Sequence, residues 1–175
     1  MKILLSLLLL AAPLSAVSLK FDASTSELGF TGDYGGEPVP GKFKSFTGTV
    51  EFDLAKPTAT RFATEIDVAS LDTDYSDRDD TLRGEEFFDT EKFPKASYVS
   101  SGDCTTTGGK LSCPGTLTLR GVTKPVALEV TPSADGRVIE GKATLDRSQF
   151  GVGSGDWADP ESIANAVTIT FKLSL

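Results

Sequence analysis

The strict alternation of apolar and polar residues in the stretch GTLTLRGVTKPVALEV, at positions 115–130, restricts the fold of this chain more than any other feature. Leu117 and Leu119 share one face, and after a polar turn Val126 and Leu128 share one face. A period of two residues is typical of paired β-strands with a single buried face. The stretch therefore predicts a β-hairpin whose apolar face meets either a packed core or a bound apolar molecule.

Similar alternation recurs along nearly the whole chain and predicts an all-β protein. The predicted strands are Leu19 to Asp22 continuing through Glu27 to Tyr34, Lys42 to Leu54, Arg61 to Leu71, Ala96 to Cys104, Lys110 to Arg120, Lys124 to Thr131, Val138 to Arg147 and Asn165 to Leu175. One apolar face per strand favours an antiparallel sheet. Eight strands can form a sandwich or a closed barrel, and such a barrel holds either side chains or one small ligand.

One segment, SDRDDTLRGEEFFDTEKFP at positions 76–94, breaks the alternation. Ser76 followed by Asp79 resembles a capping box, and acidic residues in the first turn favour a helix start. Gly84 is a plausible helix end. We therefore expect one short helix, followed by an irregular turn that carries three phenylalanines.

Residues 1–16 have the composition of a secretory signal peptide. Lys2 supplies a positive charge, Ile3 to Leu10 form an apolar run, and a region of small residues ends at Ala16. The apolar run is shorter than the ~20 residues of a membrane span. We expect cleavage after Ala16, one domain at 17–175 and a periplasmic or secreted location. A short uncleaved anchor is the alternative.

The two cysteines lie in the sequence CTTTGGKLSC. A two-residue turn at Gly108 and Gly109 would place Cys104 opposite Cys113 at a non-hydrogen-bonded site, where the Cα atoms of paired strands are closest. That geometry and an oxidising compartment predict a Cys104–Cys113 disulfide.

Composition excludes several function classes. The formal net charge is −8 and the chain contains no histidine. An acidic chain without a basic run is a poor partner for nucleic acid or for anionic lipid head groups. The lack of histidine excludes the usual Ser-His-Asp and Cys-His nucleophilic sites and the usual zinc ligand sets. We expect no catalytic residue and no metal site.

The acidic run DTDYSDRDD, at positions 72–80, has the carboxylate density of a calcium-binding loop. Asp77 stands where the EF-hand needs glycine, and Arg83 stands where it needs the bidentate glutamate, so the template fails. A carboxylate pair for hydrolysis stays open, because the separation that matters for such a pair is spatial.

Four segments follow one another in the order seen in the YceI-like family: GKFKSFTGTVEFD, DRDDTLRGEEFFDTEKFPKASYVSS, GTLTLRGVTKPVALEV and LDRSQFGVG. The resemblance covers nearly all of the chain after residue 16. It implies an exported protein that folds as a lipocalin-like, eight-stranded antiparallel barrel with one short helix. It also implies that a polyisoprenoid or similar amphiphilic lipid binds inside. The cysteine hairpin and the lack of histidine depart from the family pattern.

The alternation and the resemblance together define a candidate lipid site. Its predicted occupant is an isoprenoid quinone or a polyprenyl lipid. The candidate residues of the barrel lining and mouth are Phe46, Phe52, Phe62, Ile66, Phe87, Phe88, Leu117, Leu119, Val126, Leu128, Phe150 and Trp157. For the residues on strands, the sequence leaves open whether they line a cavity or only pack the core.

Three functions are compatible with these features. The leading hypothesis is a periplasmic carrier or reservoir of an amphiphilic lipid, with transient contact to a membrane or membrane protein and with a homodimer as one oligomeric state. The second is a non-catalytic interaction module with a solid core that docks a membrane partner. The third is a hydrolase or isomerase that uses carboxylates. An interior cavity would favour the first, and facing buried carboxylates would favour the third.

Overall fold

The computed structural model describes residues 17–175, so the predicted signal peptide at 1–16 lies outside the described residues. The strands are β1 (Val17–Asp22), β2 (Glu27–Tyr34), β3 (Glu37–Phe43), β4 (Phe46–Phe52), β5 (Arg61–Asp67), β6 (Leu71–Asp72), β7 (Lys95–Ser100), β8 (Thr105–Thr107), β9 (Lys110–Leu119), β10 (Val122–Pro132), β11 (Val138–Asp146) and β12 (Ala166–Ser174). One α-helix, α1, spans Ser76–Arg83. Short 3-10 helices span Pro57–Ala59, Val68–Ser70, Arg147–Phe150 and Gly155–Trp157. Within 17–175, no helix has the length and apolar character needed to cross a membrane.

All strands belong to one antiparallel sheet that curls into a barrel. Its order is β1-β4-β5-β7-β9-β10-β11-β12-β2-β3-β6, and β8 pairs with β9. β1 and β2 are the two halves of one bent strand, and β3 and β4 are the two halves of a second. The two bent strands run side by side, because β1 pairs with β4 and β2 pairs with β3. β5 and β6 form a third, which runs beside β4 and β3 on their other side. The ring closes at β2, which pairs with both β12 and β3. The predicted antiparallel barrel is confirmed: counting each bent strand once leaves eight strands in the ring, and β8 is a ninth that lies off it.

The predicted strand boundaries were wrong at the bends. The segments Lys42 to Leu54 and Arg61 to Leu71 break at 44–45 and 68–70, whereas the gap at 23–26 falls between the two ranges predicted for the first strand. With β8 as an added strand, the eight predicted segments become twelve strands. The bends let a strand turn from one part of the curled sheet to the next. Hydrophobic alternation does not reveal them, because apolar residues on both sides of a bend still face inward. β8 was missed because its three threonines carry no apolar alternation.

Inward-facing side chains fill the barrel with aromatic rings. Four of these rings lie against inward-facing glycines of a neighbouring strand, where a Cβ atom would collide with the ring. The pairs are Phe21 with Gly48, Phe30 with Gly41, Tyr98 with Gly115 and Phe171 with Gly141. Glycine at these positions therefore lets each ring lie close to the barrel wall.

The end of the barrel that carries the β8–β9 hairpin, here called the disulfide end, is closely packed. Gly108 and Gly109 have φ angles of 59° and 79°, and the hairpin brings Cys104 and Cys113 into the predicted disulfide. Ile139 and Val50, which both lie towards this end of their strands, are fully shielded from solvent. The predicted disulfide is thus confirmed, and it lies in a solid part of the interior.

The opposite end, here called the capped end, carries α1, the segment 84–94, the tip of the β9–β10 hairpin and the segment 147–165. The helix ends near Gly84 as expected, but the predicted cap was wrong. Tyr75 is the residue before the first turn, and it makes no side-chain capping bond. The buried Asp79 carboxylate instead accepts hydrogen bonds from the Thr73 amide at 2.9 Å and the Thr73 hydroxyl at 2.6 Å. These bonds fasten α1 to the strand that precedes it.

Candidate functional site

The barrel interior contains two apolar chambers between the cap and the packed disulfide end. The outer chamber, beneath the cap, has a volume of ≈ 110 Å³, and the inner chamber has a volume of ≈ 90 Å³. The side chains that line both chambers, and therefore separate them, are Leu28, Ile66, Leu117, Leu145 and Ile169. The interior is hollow over this part of its length, so the core is not solid.

The inner chamber presents two polar side chains, Thr64 and Tyr98, among apolar ones. The Tyr98 hydroxyl lies 3.2 Å from the Cys113 carbonyl oxygen and 3.3 Å from the Val126 carbonyl oxygen. Burial raises the pKa of Tyr98 to about 12. Because the hydroxyl already has backbone acceptors, the chamber favours an apolar chain over a polar molecule.

Arg147 borders the outer chamber, but it is not free to bind a ligand. Its buried guanidinium donates to the carbonyl oxygens of five residues, at distances between 2.7 and 3.1 Å. The acceptors are Val152, Gly153, Trp157, Ile163 and Ala164. A guanidinium has five N–H donors, so every one of them is used. Burial lowers the pKa of Arg147, and the side chain acts as a fastening for the segment 147–165.

Further contacts hold this segment against the segment 84–94. The Glu86 carbonyl oxygen accepts from the Gly153 and Ser154 amides at 2.8 and 2.7 Å. The Trp157 indole donates to the Glu86 carboxylate at 3.0 Å, and the Trp157 ring lies 5.4 Å from the Phe87 ring. Arg120, at the tip of the β9–β10 hairpin, donates to the carbonyl oxygens of both segments. The cap is therefore a connected layer fastened by hydrogen bonds.

The structure divides the predicted lining residues into three groups. Those on the inner chamber are Phe46, Phe62, Ile66, Leu117, Val126 and Leu128. Those on the outer chamber are Ile66, Phe88, Leu117, Leu119 and Phe150. Three others line neither chamber: Phe52 packs near Gly136 at the disulfide end, and Phe87 and Trp157 pack against each other within the cap.

Several chamber residues were absent from the predicted set. Leu28, Ile169 and Phe171 have the alternation that identified the others, so the sequence contained a usable signal for them. Tyr98 and Arg147 had none, because Tyr98 lies in a polar stretch and a charged residue is not expected inside a barrel.

The acidic residues of 72–89 lie outside both chambers. Lys44 Nζ is 2.7 Å from the Asp72 carboxylate, and this hydrogen bond holds the pKa of Asp72 below its ordinary value. Asp89 pairs with Lys92 at 3.2 Å. Asp72 and Asp89 are therefore engaged with lysines, and no Asp or Glu is among the residues that line the two chambers.

Known proteins share both this sequence pattern and this architecture. The model of the YceI-like domain matches residues 19–175. The chain belongs to the YceI-like domain family. A UPF0312 protein of Shewanella oneidensis is 36% identical over 122 residues, which are 65% of this chain and 64% of the relative. The chain thus matches less than two thirds of that relative's length.

Two solved structures extend the family likeness to the fold. Burkholderia cenocepacia BcnA has 32% sequence identity and a TM-score of 0.81, covering 89% of this chain and 99% of BcnA. A polyisoprenoid binding domain from Saccharophagus degradans has 17% identity and a TM-score of 0.66, covering 90% of this chain and 97% of that domain. At 17% identity, the second likeness concerns the fold alone.

Proposed function

We propose that this YceI-like barrel binds an amphiphilic lipid with a polyisoprenoid or isoprenoid-quinone chain and acts as a carrier or reservoir, without catalysis. The pair of apolar chambers in an otherwise packed barrel carries the proposal. The family membership and the polyisoprenoid-binding neighbour of the same fold support it. Among the described chamber residues, the ionisable side chains are Tyr98 and Arg147, and both are engaged with backbone carbonyls. This leaves a wall suited to hydrocarbon.

The size of the chambers shows what a ligand would require. Pockets for drug-sized ligands are typically about 300–1,000 Å³, so chambers of ≈ 110 and ≈ 90 Å³ hold a long chain only if the side chains between them move. Burying roughly ten methylene-sized groups would contribute ~8 kcal/mol, on the order of micromolar affinity before the cost of immobilisation. Longer chains can offset that cost.

The proposal extends to location and partners. The signal-like residues 1–16 and the Cys104–Cys113 disulfide support export to the periplasm or the medium. A lipid carrier must receive and release its cargo, so we expect transient contact with a membrane or membrane protein. A homodimer is one candidate oligomeric state. Intact mass of exported protein tests cleavage after Ala16, and light scattering tests the dimer.

Extraction and mass spectrometry of protein purified from its native compartment test the function directly. We expect a recurrent lipid with a prenyl chain, near one molecule per protein. Protein that is free of lipid and also binds no geranylgeraniol in titration would favour the interaction module instead.

A variant that fills the inner chamber tests lipid binding without knowledge of the natural lipid. Ala143 is buried on the wall of that chamber. Ala143→Leu should weaken geranylgeraniol binding at least tenfold and leave the protein folded, because the added carbons occupy existing space. Ala63→Leu, on the outer face of β5, is the matched control and should bind as the parent does. If the interior were solid, Ala143→Leu would cost about 1–3 kcal/mol by overpacking.

A further inference from the structure

The barrel wall has a seam between β10 and β11. These strands pair only where Glu129–Pro132 meet residues 139–142. Beyond that point, residues 122–128 and 143–146 are not paired with each other. Both strands stay paired with their other neighbours to the capped end, β10 with β9 and β11 with β12. The wall is therefore continuous on both sides of the seam and open along it.

A groove of ≈ 580 Å³ occupies the seam. Three of its apolar residues also face the interior: Val126 lines the inner chamber, Phe150 lines the outer chamber, and Leu145 lines both. These three side chains lie between the groove and the chambers. Pro125 also lies in the groove, and proline suits a strand edge because it has no N–H to donate to a neighbouring strand.

The groove also has a polar rim. Lys124 is half-buried and lies on the same face of β10 as Val126 and Leu128. Within residues 17–175, no ion pair to Lys124 is found. The Asn165 side-chain oxygen is buried and has no hydrogen-bond partner among the described residues. A buried acceptor without a partner is unfavourable unless water or a ligand supplies a donor. The Asp146 carboxylate also lies in the groove, and one of its oxygens accepts from the Ser148 amide and hydroxyl. Apolar walls beneath Lys124 and the unsatisfied acceptor fit the head group and upper chain of an amphiphile.

We propose that the lipid enters and leaves the barrel sideways through the seam, passing Val126, Leu145 and Phe150, and leaves its head group at the rim beside Lys124 and Asn165. This inference rests on the proposed lipid-binding function. A route through the capped end would break the Arg147 hydrogen bonds and those of Glu86. The seam requires movement of three side chains and no loss of a strand ladder, so it is the easier of these two paths.

Bridging the seam tests the route. Ala127 and Thr144 are exposed residues that would pair if the β10–β11 register continued. We would bridge the double variant Ala127→Cys, Thr144→Cys with a short bismaleimide. The matched control bridges Thr131→Cys and Glu140→Cys, which are exposed and already paired on the same strands. The probe is dansyl-labelled farnesol supplied in phosphatidylcholine vesicles, and the rates of uptake and release are measured.

We expect the bridge across the seam to slow both rates at least tenfold, while the unbridged variant and the bridged control keep the parent rates. Unchanged rates in the bridged seam variant would overturn the lateral route, as would equal slowing in the control. If the parent protein takes up no probe, the proposed lipid-binding function fails. If the parent binds the probe and the bridge does not change the rates, only the lateral route through the seam is refuted.

Discussion

The division of the barrel into a packed end and a hollow end predicts that one substitution has two different costs. Ile139 and Ile169 both face inward, on the adjacent strands β11 and β12. Ile139 is 0% exposed and lies at the disulfide end, outside both chambers. Ile169 forms part of the wall between the chambers. Replacing each with alanine removes the same three carbons from two different environments.

The expected magnitudes follow from packing. Three methylene-sized groups contribute about 2.4 kcal/mol in transfer free energy at ~0.8 kcal/mol each. At Ile139 a new cavity adds to this loss, so Ile139→Ala should lower the free energy of unfolding by about 4 kcal/mol. At Ile169 part of the side chain already borders empty space and makes fewer contacts, so Ile169→Ala should cost about 2 kcal/mol, the low end for such changes.

Urea denaturation followed by far-UV circular dichroism gives both free energies, with the m-values compared to establish that the unfolded states are similar. Titration of the same proteins with geranylgeraniol gives their dissociation constants. The dissociation constant should differ from that of the parent protein for Ile169→Ala and equal it for Ile139→Ala. Equal losses of stability at the two sites, or a larger loss at Ile169, would refute the assignment of a hollow and a packed end.

Three further predictions concern single groups. Reduction of Cys104–Cys113 should lower stability by ~2–3 kcal/mol, because the bridge closes only a short loop; unchanged urea midpoints after reduction would contradict this. Tyr98 has a pKa of about 12 when folded, above its unfolded value, so its contribution to stability is complete below pH 10 and is lost as pH rises toward 12; Tyr98→Phe should abolish that loss in denaturation at high pH. Arg147→Met should cost about 3–5 kcal/mol and raise hydrogen exchange in 150–164, whereas the exposed Arg137→Met should do neither.

The sequence alone determined which residues face inward. Alternation needs only neighbouring residues, because the pleat of a strand sends successive side chains to opposite faces. For the same reason the Gly108–Gly109 turn was sufficient to predict the register that joins Cys104 to Cys113. The all-β antiparallel class could be predicted as well, but one apolar face per strand fits a sandwich and a barrel equally, so the barrel was predicted from the resemblance to the YceI-like family.

Only the tertiary structure decided what each inward residue contacts. Phe46 and Phe52 share a strand and a face, yet Phe46 lines the inner chamber and Phe52 packs at the disulfide end. The difference arises from their height along the barrel axis, which depends on strand tilt and register. The hydrogen bond from the Trp157 indole to the Glu86 carboxylate joins residues 71 positions apart in the sequence, and the seam arises where the β10–β11 ladder stops. Local periodicity carries no information about either feature, because both depend on how strands and loops pack once the sheet closes on itself.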